Sequence, residues 1–167
     1  MTDESQTTEF PVSALSVRQP WAWEIIYGGK DIENRGPVAL RKGGMKPRRI
    51  AIHASKGMTR DEYEFSAMFM EKLGVICPPA IELKRGGIIG SVDVTAIVTK
   101  SASPWWMGPR GLVLANAAPC EFIPCGGQLG YFQWERNDAV QVDWPKWMTG
   151  EKPERKSVEE KQESLFA

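Results

Sequence analysis

Short β-prone runs broken by glycine and proline are the feature that most constrains this fold. Ala14–Val17, residues 31–35, Arg49–Ala54, Gly87–Val98, Leu112–Ala115 and Tyr131–Trp134 read as extended, with RIAIHA at 49–54 alternating as a half-buried strand should. Only two segments carry a helical period. In the first, Trp21, Ala22, Ile25 and Ile26 recur after Pro20 and stop at Gly28-Gly29. In the second, Thr59 and Glu62 spell a capping box, Met58 and Tyr63 a hydrophobic staple, and Gly74 the stop. Strands therefore outnumber helices. The pattern predicts an α+β chain, a small, mostly antiparallel sheet closed into a barrel with two helices outside it.

At 167 residues the chain holds one ordinary domain. Residues 1–11 are polar and end in Pro11, and residues 149–167 are polar apart from Val158 and a terminal Leu165-Phe166. Both read as tails too poor in apolar residues to order themselves, which leaves 12–148 as the folded unit. Lys plus Arg equals Asp plus Glu at 21 each, which excludes a strongly basic histone-like or a strongly acidic chain. No apolar run approaches membrane-spanning length, and the first twenty residues carry Asp3, Glu4 and Glu9 without an apolar core. With an odd three cysteines, these features predict reduced thiols in a cytoplasmic protein. Cys77, Cys120, Cys125 and the lone His53 make a poor zinc set, so neither metal nor cofactor is expected.

Balanced overall, the charge is uneven along the chain. Between Lys30 and Arg60 there are nine basic residues and only two acidic ones, Asp31 and Glu33. Such a stretch is either a solvated basic loop or the footprint of a phosphate backbone. It follows directly on the densest motif in the chain, LSVRQPWAWEIIYGGKDIENR at 15–35. If 31–35 is extended, Ile32 points one way and Asp31, Glu33 and Arg35 the other. A carboxylate between cations can accept from a base's amino group while its neighbours donate to carbonyls or phosphate. A plain Glu–Arg pair on a solvent face would have the same spacing.

That run resembles the signature of the activating signal cointegrator homology (ASCH) domains, members of the PUA-like superfamily. Gln19, Pro20, Trp21 and Ala22 fill a QPWA-type helix start, and Gly28, Lys30, Glu33 and Arg35 fill G-x-K-x-x-E-x-R. Ile52–Lys56, the Gly-started strand from Gly86 and the closing strand Gly130–Trp134 extend the resemblance over about residues 15–135. It implies a small β-barrel with flanking helices and a nucleic-acid cleft built around the G-x-K-x-x-E-x-R segment. Arg18, Gln19, Trp21, Lys30, Glu33, Arg35, His53, Ser55 and Lys56 are then the candidate contacts. Lys56 and Arg35 would take phosphate, Glu33 the edge of an unstacked base, modified or not, and Trp21 or Trp23 the floor. The partner would be RNA, single-stranded DNA or a nucleoside. Some similar small proteins hydrolyse N4-acetylated cytidine through a Lys and a Thr three residues on. Here that Thr position is Glu33, which is no hydroxyl nucleophile. Other members are regarded as ribonucleases with Lys, Ser or Tyr near the same cleft, for which Tyr27, Lys30, Ser55 and Lys56 are available; Lys30 and Glu33 are the catalytic candidates if the chain is an enzyme.

Two further features are read from the residues. In the loop SASPWWMGPRG, adjacent Trp105 and Trp106 cannot both face one side of a strand, so one is expected exposed or over the cleft. Met68 and Met70 are expected in the core. At the C-terminus, Gln162, Leu165 and Phe166 resemble the Q-x-x-L-F pentapeptide with which bacterial replication and repair proteins engage the DNA sliding clamp.

Overall fold

A computed structural model describes residues 9–149. The tail readings at 1–8 and 150–167, including Gln162, Leu165 and Phe166, lie outside the described residues.

In chain order the elements are β1 (Ser13–Val17), α1 (Trp21–Tyr27), β2 (Ile32–Arg35), α2 (Pro37–Lys42), β3 (Arg48–Ala54), α3 (Arg60–Lys72), β4 (Gly87–Val98), β5 (Arg110–Pro124) and β6 (Tyr131–Gln133). Short 3-10 turns stand at Ala80–Glu82 and Lys146–Thr149. The six strands form one curled, mixed sheet in the order β2-β5-β4-β3-β1-β6. It is the α+β architecture expected, with two differences. The curl is a half-barrel, with β2 and β6 left as edges rather than paired to each other. One pairing, β1 with β3, is parallel, setting Ser16 beside His53 and Val17 beside Ala54. A parallel neighbour needs a crossover, and α1, β2 and α2 supply it.

Local chemistry sets the helix ends. The Thr59 hydroxyl accepts from the Glu62 N–H at 3.2 Å, and the Glu62 carboxylate accepts from the Thr59 N–H at 2.7 Å. Met58 and Tyr63 pack in one cluster, as a staple requires. Gly28 closes α1 by donating to the Glu24 carbonyl, and Gly29 takes a φ of +76°, which a side chain would resist. The third helix, α2, was not expected. It begins with Pro37 and ends in Arg41 and Lys42, favourable at a C-terminus, but buries only Leu40. β5 runs to Pro124 instead of stopping at Ala115, since bulges against β4 absorb the irregular middle around Asn116 (φ 54°).

The main core lies where α1 covers the sheet: Ala22, Ile25 and Ile26 meet Leu15, Val17, Ile52, Val92 and Leu112. α3 seats Met70 against Ile32 and Trp105. Met68 is 52% exposed, contrary to expectation. Two helical positions from Met70 is about 200° of rotation, so both methionines cannot share the buried face. Trp105 is buried and Trp106 half-buried over Gly111, held there because Asn34 binds the Trp105 carbonyl and the Met107 and Gly108 N–H groups. Neither indole covers the cleft described next. No helix among the described residues is long and apolar enough to cross a membrane.

Candidate functional site

The parallel strands β1 and β3 end side by side, and the chain leaves them at Arg18 and Ser55. Around those ends lies a cleft of about 500 Å³, lined by Ser16, Arg18, Trp21, Glu33, Arg35, Ser55 and Leu129 among others. A second lobe of about 500 Å³ shares Ser16, Ser55, Gln128 and Leu129 and adds His53, Lys56, Gly126 and Gly127. Five of the nine residues expected to contact nucleic acid thus line the main lobe, Arg18, Trp21, Glu33, Arg35 and Ser55, and Lys56 lines the second. Lys30, Gln19 and His53 stand differently.

Lys30 does not open onto the cleft. It is buried, and its ammonium donates to the Ile32 carbonyl and to Glu33 Oε2, the latter at 2.9 Å. It lies 5.9 Å from the centre of the Trp21 ring. Arg35 Nη2 sits 3.1 Å from Glu33 Oε1 and donates to the Ser16 carbonyl at 3.0 Å. Burial alone would raise the Glu33 carboxyl. The two cations and their hydrogen bonds outweigh it and hold the group below the usual carboxylate range. Glu33 is therefore a fixed anion between two cations, each oxygen still having a lone pair to offer. With two of its three N–H donors engaged and its side chain buried outside the cleft lining, Lys30 positions Glu33 and does not face a substrate in the cleft.

Gln19 faces elsewhere. Its amide accepts from the Trp23 N–H at 2.9 Å and donates to the Lys84 carbonyl at 2.8 Å, pinning the start of α1 to the segment before β4. With Trp23, Tyr27 and Phe122 it lines a separate pocket of about 190 Å³. Trp23 is accordingly no floor of the cleft; Trp21 alone takes that place. Asp31, expected on the same side as Glu33 and Arg35, falls before β2 begins and binds the Ser103 hydroxyl.

His53 is 2% exposed. Its Nε2 lies 3.0 Å from the Cys125 carbonyl, which fixes the proton there and leaves Nδ1 to accept from the Ser16 hydroxyl at 2.9 Å. Burial lowers the imidazole pKa, so the ring is neutral at pH 7. Gly127 lies so close that a Cβ there would fall 2.7 Å from both His53 Cε1 and Ser16 Oγ.

Four residues that matter here were not singled out from the sequence. Ser16 lies inside the signature but carries no pattern of its own. Gln128 and Leu129 sit in the turn Gly126–Gly130, which carries no motif, and Leu129 is 99% exposed at the lip. Glu24, on α1, is fully buried, and neither carboxylate oxygen has a partner among the described residues. Burial pushes its pKa up to about 8, opposed by Lys30 and reinforced by Glu33, so it is protonated at neutral pH.

The cleft thus offers an indole face, an exposed leucine, a fixed carboxylate and cationic donors at the rim. These suit a flat, amino-bearing ring that carries a nearby negative charge. No protein-family model matches the chain, and no curated protein matches it.

Proposed function

We propose that the chain is a nucleic-acid-binding module of the ASCH type with a PUA-like fold, and that it takes an unstacked base of single-stranded RNA or DNA into the cleft. The observation that carries this reading is the joint lining of one cleft by Trp21, Glu33 and Arg35, with Arg18 and Lys56 at its mouth. Trp21 and Leu129 sandwich the base, and Glu33 accepts from its amino edge. Arg35, half-buried, donates to a carbonyl, and the exposed cations meet the backbone phosphates. Free thiols at Cys77, Cys120 and Cys125 suit the cytoplasmic setting of such a partner.

Fluorescence anisotropy with a labelled single-stranded decamer, RNA and DNA in turn, tests the reading. Affinity should fall steeply between 50 and 200 mM salt, by roughly tenfold for every two phosphates neutralised. Arg35→Ala should weaken binding by about tenfold or more. No binding at low salt, or an Arg35→Ala protein that binds as the wild type does, overturns it.

One observation favours hydrolysis as a second reading. Ser16 and His53 form a hydrogen-bonded hydroxyl–imidazole pair, with the base oriented by a carbonyl, at the junction of the two lobes. Ser16 Oγ would attack an acyl or phosphoryl centre while Nδ1 takes its proton, and that proton would pass to the amine or alcohol expelled as its bond to the centre breaks. Reaction of Ser16 with a fluorophosphonate, lost in His53→Gln and read by peptide mass, would favour this reading. An unmodified Ser16 removes it.

A further inference from the structure

Beyond Arg18 and Lys56, away from Glu33, the surface sinks into a pocket of about 440 Å³ lined by those two residues, Gly57, Thr59, Arg85 and Asp143 among others. Three cations face it against one lining carboxylate. Each is held differently. Arg18 is gripped by both oxygens of Glu62, through Nε at 2.7 Å and Nη2 at 2.7 Å, which fixes the plane of its guanidinium. Its Nη1 has no partner among the described residues and lies over Gly57, where a Cβ would fall 2.7 Å from it. Lys56 is exposed and makes no ion pair among the described residues.

Arg85 is only 5% exposed, yet it makes no salt bridge among the described residues. It donates to the carbonyls of Lys56 and Asp143 and touches Met148 Sδ at 3.6 Å, while Nε has no partner. Trp144 covers its guanidinium at 5.0 Å. Burial lowers the Arg85 pKa, and the charge of Asp143 partly restores it. A buried cation bound mainly to carbonyls, with a carboxylate nearby but no salt bridge to it, leaves positive charge for an anion at the pocket surface. The start of α3 is not the source of this attraction, because its capping box engages the Thr59 and Glu62 N–H groups and its first turn carries two carboxylates, Asp61 and Glu62.

We infer that this pocket is a phosphate-binding site, taking a phosphate mono- or diester oxygen on Arg18 Nη1 and Lys56 Nζ within the field of Arg85. Arg18 also lines the base cleft and Lys56 its second lobe. A phosphate here would therefore belong to the nucleotide next to the base held at Glu33. This placement rests on the function proposed above, whereas phosphate binding itself does not.

The test uses the full chain labelled with 15N. Inorganic phosphate, titrated against chloride at equal ionic strength, should shift the Gly57 amide and the Arg18 and Arg85 Nε–H resonances and saturate at millimolar concentration. Shifts no larger than chloride produces overturn the inference. Calorimetry then compares a nucleoside, its 5′- and 3′-monophosphates and a dinucleotide. At least a tenfold gain on adding phosphate is expected, and the dinucleotide separates an internal diester from a terminal monoester. Gly57→Ala, whose backbone conformation suits alanine and whose methyl displaces the Arg18 guanidinium, should cut that gain at least fivefold. An undiminished gain in Gly57→Ala counts against the site. If phosphate shifts the pocket but no nucleoside binds, the base-binding reading fails and this inference stands.

Discussion

Replacing Glu24 by glutamine should stabilise the protein, and by an amount that depends on pH in a defined way. The carboxyl is fully buried, neither oxygen has a partner, and its pKa stands at about 8 against an ordinary 4.5. In the folded chain it keeps its proton after the unfolded chain has lost one. Wild-type stability attributable to this residue therefore falls as pH rises from about 4.5 to 8 and is level beyond. At roughly 1.4 kcal/mol per pKa unit, the full penalty is about 5 kcal/mol, of which about 3 is present at pH 7. Glutamine has nearly the same shape and cannot ionise. Urea unfolding of both proteins at pH 4, 7 and 9 should give curves that nearly coincide at pH 4. They should separate by a few kcal/mol at pH 7 and furthest at pH 9, with unchanged m-values. A difference that stays constant across that range, or a variant less stable at pH 9, refutes the reasoning. Either result would mean that Glu24 has a polar partner or reaches solvent.

Glu33→Gln removes the anion from between Lys30 and Arg35 and should cost about 3–5 kcal/mol at pH 7, as breaking a buried ion pair does. Because the Glu33 pKa is depressed, wild-type stability from this group is lost as pH falls through that value, so denaturation near pH 3 should show a smaller gap. Gly127→Ala pushes a methyl into His53 and Ser16 and should lower stability by about 1–3 kcal/mol, read by thermal melting. The same change should weaken oligonucleotide binding as the loop carrying Leu129 lifts. We further propose that Gln162, Leu165 and Phe166 engage the bacterial sliding clamp: a labelled 153–167 peptide should bind it in the micromolar range, and Leu165→Ala with Phe166→Ala should abolish that binding.

What the sequence made legible follows the strength of its local signals. Thr59, Glu62, Met58 and Tyr63 name the start of α3 because a cap needs particular side chains at fixed offsets, and those chemistries are seldom ambiguous. Alternation in RIAIHA located β3 but misjudged its burial: the strand is central and buried on both faces from Ile50 to Ala54, Ile50 and Ile52 in the main core and Ala51 in a second cluster, not half-buried as expected. Where a segment buries little, the signal vanishes, and α2, with Leu40 alone inside, was lost in a basic run. The length of β5 was hidden for another reason: bulges near Asn116 interrupt the alternation that marks a strand. The parallel β1–β3 pair and the open sheet edges are set by tertiary arrangement, and no local pattern encodes them.

The site divides in the same way. Glu33 and Arg35 were legible because a two-residue spacing on a strand puts both side chains on one face. Lys30 belongs to the same motif, yet its turn position folds it under Trp21, and spacing cannot distinguish a ligand's donor from a buried counter-ion. Gln19 shows the same limit, spending both ends of its amide on backbone. Leu129 had no signal, since an exposed leucine between glycines matters only once the loop's position beside β1 and β3 is known.

The most direct test of the central claim is an amide and indole chemical-shift map of the 15N-labelled protein titrated with a short single-stranded oligonucleotide. Binding at the cleft should perturb Ser16, Ser55, the Gly127–Gly130 backbone and the Trp21 indole together, with one saturation curve. Shifts confined to the pocket of Gln19, Trp23, Tyr27 and Phe122, or no shifts at low salt, would contradict it.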